Sequence, residues 1–413
     1  MECGKQGQGQ IALRPEGHEA HSNLGVVLAD LQEWDGALAS YDRALELLPQ
    51  FAKAWVNRGV ALNALKQLPM AIASYDRAIA IEPEFPGAHW NKALACLRVG
   101  DLELGWKLFE WRWKNVDANP KRRSYAQPLW LGELSLNGKT ILLHHEQGMG
   151  DTLQFCRYVP LLAKAGARVM LEVPRPLVNL LKGLEGVDTV VQQDAKLSSF
   201  DLHCPMMSLP LAFKTSLLTI PFADRYLNAD EDKIAYWDRA LGARARPRVG
   251  LVWNGGFRAH QPEVWAVNER RNMPVQHLAA LKGLDCQFIS LQKGDPAEAE
   301  FKQLQQEGWD GPDILNRVDQ LNDFSDTAAL IASLDLVIAV DTSVAHLAGA
   351  LGKPVWLLNR FDSCWRWLID RQDSPWYQSM RIFNQKSPGD WDGVMKDVVA
   401  ASSISAKDHL KKS

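Results

Sequence analysis

With 413 residues the chain is long enough for about two to three domains, each burying its own core. Lys and Arg number 46 against 49 acidic residues, a net charge of -3 with 46% hydrophobic content, so no global field selects nucleic acid or a membrane surface as partner. No run of about 18 uncharged apolar residues occurs and MECGKQGQGQ lacks a signal peptide's apolar stretch, so a cytoplasmic protein without a transmembrane segment is expected. Six cysteines (Cys3, Cys96, Cys156, Cys204, Cys286, Cys364) include no CxxC pair, which argues against structural zinc or a disulfide framework. The 16 tryptophans cluster around Trp106, Trp111, Trp113 and Trp130, and again around Trp365, Trp367, Trp376 and Trp391; such amphipathic rings suit domain interfaces or ligand walls.

Residues 1–115 carry an internal repeat. Gly25, Ala37, Tyr41, Ala44 and Pro49 return as Gly59, Ala71, Tyr75, Ala78 and Pro83. Small residues let paired helices approach, a tyrosine fills the groove between them, and a proline ends each unit. These positions resemble the tetratricopeptide repeat in period and pattern. A divergent third copy begins near Pro86, with Ala93, Gly105 and Phe109 in the matching places, and Leu13, Arg14 and Pro15 match the tail of a preceding unit. Residues 116–137 read as a linker, with Lys121, Arg122 and Arg123 as a solvated charge run before Pro128 and Trp130.

From Gly138 strands and helices alternate, the pattern of a parallel sheet covered on both faces. The expected elements are strand 140–144, helix 152–164, strand 167–173, helix 175–184 and short strands near Val190 and Leu202. RARPR, residues 244–248, has the composition of a hinge. A second set follows: strand 249–253, helix 275–282, strand 287–291, helix 296–307, strand 314–318 and helix 326–334. Two doubly wound domains, 138–243 and 244–390, leave a cleft between their carboxyl edges, the default place for a ligand. Residues 391–413 form a tail that could be a helix returning across the hinge.

The most informative stretch is DLVIAVDTSVAHLAGALGKPVWLLN, residues 335–359. It reads as strand, tight loop, helix and strand. Asp341, Thr342 and Ser343 are cap-forming types at the start of a helix striped by Val344, Leu347, Ala348 and Leu351 and stopped by Gly352. Bare amides and the helix dipole at that start favour an anion such as phosphate. Thr342 and Ser343 as ordinary caps, with His346 as a packed helix residue, is the alternative.

The loop Gly148-Met149-Gly150-Asp151 is a glycine-rich strand-to-helix turn without the third glycine of a dinucleotide fingerprint or the Lys-Ser/Thr of a P-loop. It offers one carboxylate, Asp151, either a helix cap or a general base. Trp253-Asn254-Gly255-Gly256 and Gln292-Lys293 follow strands, where side chains reach a cleft, though the glycines could equally make a plain turn. Arg270 and Arg271 lie in a long loop and could clamp a phosphate or a sugar acid. His144 and His145 adjoin Glu146, but neighbouring strand side chains point to opposite faces, so no metal is expected there.

EQGMGDTLQFCRYVP, FISLQKG and FSDTAALIASLDLVIAVDTSVAHLAGALGKPVWLL together resemble glycosyltransferases of the heptosyltransferase type, over about residues 138–400. The resemblance implies an α-helical tetratricopeptide array followed by an α/β GT-B fold of two Rossmann-like domains. Its coupling to repeats is similar to a group of bacterial repeat-plus-transferase proteins and, in outline, to the protein O-GlcNAc transferases. In that family the Asp of the Gly-Asp loop is the proposed catalytic base, which falls on Asp151. The Asp-Thr-x-x-x-His segment binds the diphosphate of the nucleotide sugar, which falls on Asp341, Thr342, Ser343 and His346.

The expectation is therefore an inverting glycosyltransferase that needs no metal or other cofactor and moves a sugar from a nucleotide-sugar donor to an acceptor protein or glycan. The concave face of the repeats is a suitable recruiting surface. Lys293 or His346 would meet charge growing on the leaving diphosphate. The rival is a transferase-like scaffold without catalysis that binds protein partners. A glycoside hydrolase fits less well, for want of paired carboxylates on matched strand ends.

Overall fold

The structure, a computed structural model, describes residues 17–114, 123–256 and 265–409. Cys3, Leu13, Arg14, Pro15, Lys121 and Arg122 lie outside the described residues. The chain divides into two compact units; the first runs to Ser124 and includes Lys214–Leu218 and Cys364–Ile369.

Three helical hairpins make up the first unit: α1 (His18–Asp30) with α2 (Trp34–Leu47), α3 (Ala52–Ala64) with α4 (Leu68–Ile81), and α5 (Pro86–Val99) with α6 (Leu102–Phe109). The repeated glycines and tyrosines explain why the hairpins close. A Cβ on Gly25 would sit 2.4 Å from the Tyr41 ring, and one on Gly59 equally close to that of Tyr75. Only a hydrogen on the first helix lets the ring of the second lie flat against it. Ala37, Ala44, Ala71 and Ala78 are fully buried at the same seams. The third hairpin keeps the scheme in modified form, with Gly105 against Leu97 and Phe109 buried. Trp106 meets Trp365 edge to face, ring centres 5.3 Å apart, so the Trp365–Trp367 turn belongs with the helices rather than with the C-terminal domain assigned from sequence.

The second unit holds two parallel sheets, each the centre of a lobe. In the first lobe β1 (Thr140–His144), α7 (Met149–Phe155), α8 (Val159–Lys164), β2 (Arg168–Val173), α9 (Val178–Leu181), β3 (Val187–Gln192) and β4 (Leu202–Pro205) give the sheet order β3-β2-β1-β4. Leu143 of β1 lies between Leu171 and Cys204, all fully buried. The helix expected over 152–164 begins at Met149 and is broken by a 3-10 turn at Cys156–Tyr158, because Pro160 lacks the N–H a continuous helix would need. Likewise only Val178–Leu181 of the expected 175–184 helix is α-helical. Part of the supposed linker is built into the lobe. Leu129 bridges His203 of β4, and the buried Trp130 donates its indole N–H to Leu134 O at 2.9 Å.

The second lobe contains α10 (Glu231–Ala240), β5 (Arg248–Val252), α11 (Trp265–Arg271), β6 (Gln287–Ser290), α12 (Ala297–Glu307), β7 (Ile314–Leu315) and α13 (Phe324–Ala332). It continues through β8 (Leu336–Val340), α14 (Ser343–Ala350), β9 (Val355–Asn359), β10 (Met380–Asn384) and α15 (Trp391–His409). The sheet order β10-β9-β8-β5-β6-β7 is doubly wound, with the switch of winding between β5 and β8. Residues 275–281 form a 3-10 helix instead of the expected α-helix.

Three domain assignments change. The backbone amides of Tyr226 and Leu227 donate to Ala350 O of α14, and α10 is tied to α13 by Lys233–Asp326 at 2.7 Å, so the chain reaches the second lobe well before residue 243. RARPR is not a hinge: Arg248 opens β5, is buried, and pairs with Asp238 at 2.7 Å. The tail is a helix as expected, Trp391–His409, but it is built into the second lobe, because Trp391, Val394, Met395 and Val398 of α15 complete the apolar core around Leu251, Phe288 and Ile338. The half-charged helix α10, with Trp237 as its buried anchor, and the strand β10 carried too little periodic signal to be placed from sequence.

Candidate functional site

At the β5/β8 switch point of the second lobe lies a cavity of about 320 Å³. Its walls come from both lobes: Met149 and Pro176 from the first, and Asn254, Lys293, Thr342 and Ser343 among those from the second. β8 is a buried Leu-Val-Ile-Ala-Val run that delivers the chain to the cavity, and Thr342, in extended conformation, is the N-cap of α14. The Thr342 hydroxyl does not cap the helix. It is buried and has no hydrogen-bond partner among the described residues, although the residue lines the cavity. The first intrahelical bond of α14 runs from the His346 amide to Thr342 O, so the amides of Ser343 to Ala345 precede the ladder. An orphan hydroxyl and free helix-start amides on one wall form an acceptor site for an anion.

The glycine loop of the first lobe meets this helix start. A Cβ on Gly150 would lie 2.9 Å from Cδ2 of His346 and 3.5 Å from the Ser343 Cα. Gly148 is the N-cap of α7, and Asp151 Oδ2 accepts the Gly148 amide at 2.7 Å. Asp151 thus occupies a capping position at the lobe junction, two residues beyond the cavity-lining Met149. Asp341 lies 3.9 Å from Nε2 of His346, and His346 Nδ1 is 2.9 Å from the Tyr377 hydroxyl. His346 is buried among these groups, and its helix neighbours Thr342, Ser343 and Val344 line the cavity.

The remaining candidates divide. Gln292 is buried and lines the cavity, and its Oε1 accepts the amides of Trp253 at 3.2 Å and Asn254 at 2.8 Å, joining the ends of β5 and β6. Lys293 lines the cavity and donates to Leu321 O. Asn254 lines it too, with Oδ1 accepting from Gly256 N, while Gly255 N donates to Asn272. The amides of this loop are therefore committed internally. Trp253 is a correction: its ring faces the apolar core against Phe301, because alternation along the strand puts it on the side opposite the cavity. Arg270 and Arg271 end α11 rather than sitting in a loop. Arg270 pairs with Asp362 at 3.0 Å, and Arg271 packs so closely under Gly255 that a Cβ there would lie 2.4 Å from Nη2. His144 is buried, 3.4 Å from His203 and packed against Tyr125, away from the cavity. Among the described residues no group of three or more His, Cys, Asp or Glu could hold a metal.

Sequence reasoning passed over Arg157, Tyr226 and Tyr377. Arg157 is fully buried at the lobe junction and donates to Trp376 O at 2.8 Å and the Tyr226 hydroxyl at 3.1 Å. Burial drives the phenol of Tyr226 well above its ordinary range against the opposing pull of Arg157, and burial raises Tyr377 as well. Both phenols therefore stay protonated. Nothing in the spacing of three residues so far apart in the chain announces their meeting.

Residues 11–50 and 23–89 match the family model of the tetratricopeptide repeat, and residues 291–358 match that of glycosyltransferase family 9 (heptosyltransferase). The chain is 27% identical over 420 residues to Protein FlbA of Caulobacter vibrioides, covering 95% of this chain and 68% of that one. Among solved structures, a family 9 glycosyl transferase from Veillonella parvula aligns with 12% identity and a TM-score of 0.47, covering 66% of this chain and 98% of that one. The TPR2B domain of yeast Sti1 aligns with 27% identity and a TM-score of 0.23, covering 24% of this chain and 81% of that one. No helix among the described residues is long and apolar enough to cross a membrane. The chain thus carries an N-terminal segment that matches the tetratricopeptide repeat and, in its second half, a segment that matches family 9 glycosyltransferases (heptosyltransferases).

Proposed function

We propose that the protein is an inverting glycosyltransferase that takes a nucleoside-diphosphate sugar in the cavity between its α/β lobes and passes the sugar to an acceptor recruited by the repeats. The observation that carries this reading is the buried Thr342 hydroxyl, without a partner among the described residues, at the bare start of α14 on a cavity walled by both lobes. A diphosphate there would satisfy that hydroxyl and the first amides of the helix, and Lys293 would add a cation on the same wall. Negative charge grows on the leaving diphosphate as the glycosidic bond breaks, so these groups bind the transition state more strongly than the ground state. In this scheme the helix start and Lys293 supply the countercharge, no metal ion is invoked, and Asp151 accepts the acceptor's proton. A glycan acceptor fits the same chemistry; the stacked hairpins favour an extended peptide.

The test is binding of UDP, GDP, ADP and CMP to the full chain, read by thermal shift, alongside Thr342→Val. One nucleotide should raise the melting temperature by mass action, and the valine variant should lose that rise while keeping or gaining intrinsic stability, since an orphan hydroxyl has been removed. If no nucleotide binds, the protein is a scaffold built on a transferase fold.

A further inference from the structure

We infer that Tyr377 is a positioning residue that fixes His346 as the neutral tautomer with its proton on Nε2, and that Arg157 of the opposite lobe sets the direction of that hydrogen bond. The relevant distances form one chain. Arg157 Nη2 donates to the Tyr226 hydroxyl at 3.1 Å, and Tyr226 has its own proton committed to Leu153 O at 2.8 Å. The Tyr226 and Tyr377 oxygens are 3.4 Å apart, and the Tyr377 oxygen is 2.9 Å from His346 Nδ1. A phenol carries one proton. The Tyr377 hydroxyl is also hydrogen-bonded with Arg157, which can only donate, and the Tyr226 oxygen already accepts from that cation, so Nδ1 at 2.9 Å is the acceptor open to the Tyr377 proton. Tyr377 therefore donates to Nδ1 and leaves it as an acceptor.

The other side of the ring agrees. Nε2 faces Asp341 Oδ1 at 3.9 Å, and a lone pair there would oppose the carboxylate while an N–H attracts it. A second proton on Nδ1 would put an imidazolium in a buried network that already holds the Arg157 cation, whose guanidinium lies 4.9 Å from the Tyr377 ring and 4.6 Å from that of Tyr226. The groups facing His346 include Asp341 from the loop before α14, Tyr377 with Tyr226 and Arg157 behind it, and the backbone of Gly150. The Nε2–H edge partly offsets a carboxylate that stands next to the anion-binding helix start. That consequence, though not the tautomer itself, rests on the function proposed above. The first lobe then acts on the helix start of the second twice, through Gly150 against the ring and through Arg157 behind Tyr377.

The experiment is long-range nitrogen–proton correlation on the full chain labelled with 15N-histidine, with His346 assigned by its disappearance in His346→Gln. The expected spectrum has Nδ1 unprotonated and Nε2 protonated in the native protein, with this pattern lost to a tautomer mixture or to imidazolium in Tyr377→Phe. Arg157→Lys, which keeps the charge, should retain the native pattern if it folds. A native spectrum with the proton on Nδ1, a doubly protonated ring, or a Tyr377→Phe spectrum identical to the native one would each overturn the inference. These readouts need no nucleotide, so failure of the proposed transferase activity and failure of the tautomer assignment are separately visible.

Discussion

Gly150 of the first lobe crosses His346 of the second so closely that a methyl group on its Cα would stand 2.9 Å from the imidazole Cδ2. The ring cannot swing aside freely, because Nδ1 is held by Tyr377 and the helix behind it is buried. This contact brings the glycine loop and the start of α14 together at one site. Gly150→Ala should therefore destabilise the protein by about 1–3 kcal/mol through overpacking, less the few tenths that alanine gains near a helix start. Urea denaturation of the variant measures this, and a stability equal to the native protein's would mean the lobes adjust at no cost.

Asp151→Asn separates the capping role from chemistry. An amide oxygen can still accept the Gly148 N–H that the carboxylate takes at 2.7 Å, so stability should change by no more than about 1 kcal/mol. If the carboxylate is the base, transfer should fall about 10²- to 10⁴-fold with donor affinity unchanged. A full rate in the asparagine variant assigns Asp151 to the cap alone.

In the repeats, Gly59→Ala is expected to lower stability even though alanine is the better helix former by about 1 kcal/mol. The added Cβ would stand 2.4 Å from the Tyr75 ring, and Tyr75 is fully buried. The hairpin must open or the ring must leave its place, at a net cost of about 1–3 kcal/mol. Tyr75→Leu combined with Gly59→Ala should recover part of the loss, and thermal unfolding of the two variants compares them directly.

Acidification should weaken the first lobe through His203. Burial lowers its pKa below the ordinary 6.5, so on acidification the unfolded chain takes up a proton before the folded one does. Stability is then complete above about pH 6.5 and declines as pH falls toward the folded value, where the decline ends. His203→Asn should flatten the dependence of the urea midpoint over that interval; an unchanged slope would show that other groups carry it.

The repeats and the central βαβ unit were legible in the sequence because both are local. A tyrosine sixteen positions after a glycine, or Thr342 and Ser343 directly after a buried strand, lies within one supersecondary unit whose period writes itself into the chain. The candidate cavity was legible as a place, from the rule that ligands sit at the carboxyl edge of a doubly wound sheet. The assignments that failed are those on which packing decides. Trp253 went to the core because the strand's alternation, not its nearness to the cleft, sets the direction of its ring. Helix α10 joined the second lobe because Trp237 is buried and Lys233 pairs with Asp326 of α13, which sequence spacing does not name.

By itself, then, the order of residues determined the hairpins, the two alternating sheets and the helix start that faces the cavity, since each depends on side chains a few positions apart. Only the tertiary structure decided that Arg157, Tyr226, Tyr377 and His346 form one buried network and that Gly150 bears on the same imidazole. The bond from Arg157 to Trp376 O at the same junction spans 219 positions of the chain, and a hydrogen bond closed over such a distance leaves no periodic trace. It exists because two separately folded sheets bury their facing edges against each other, which forces the polar groups caught there to satisfy one another.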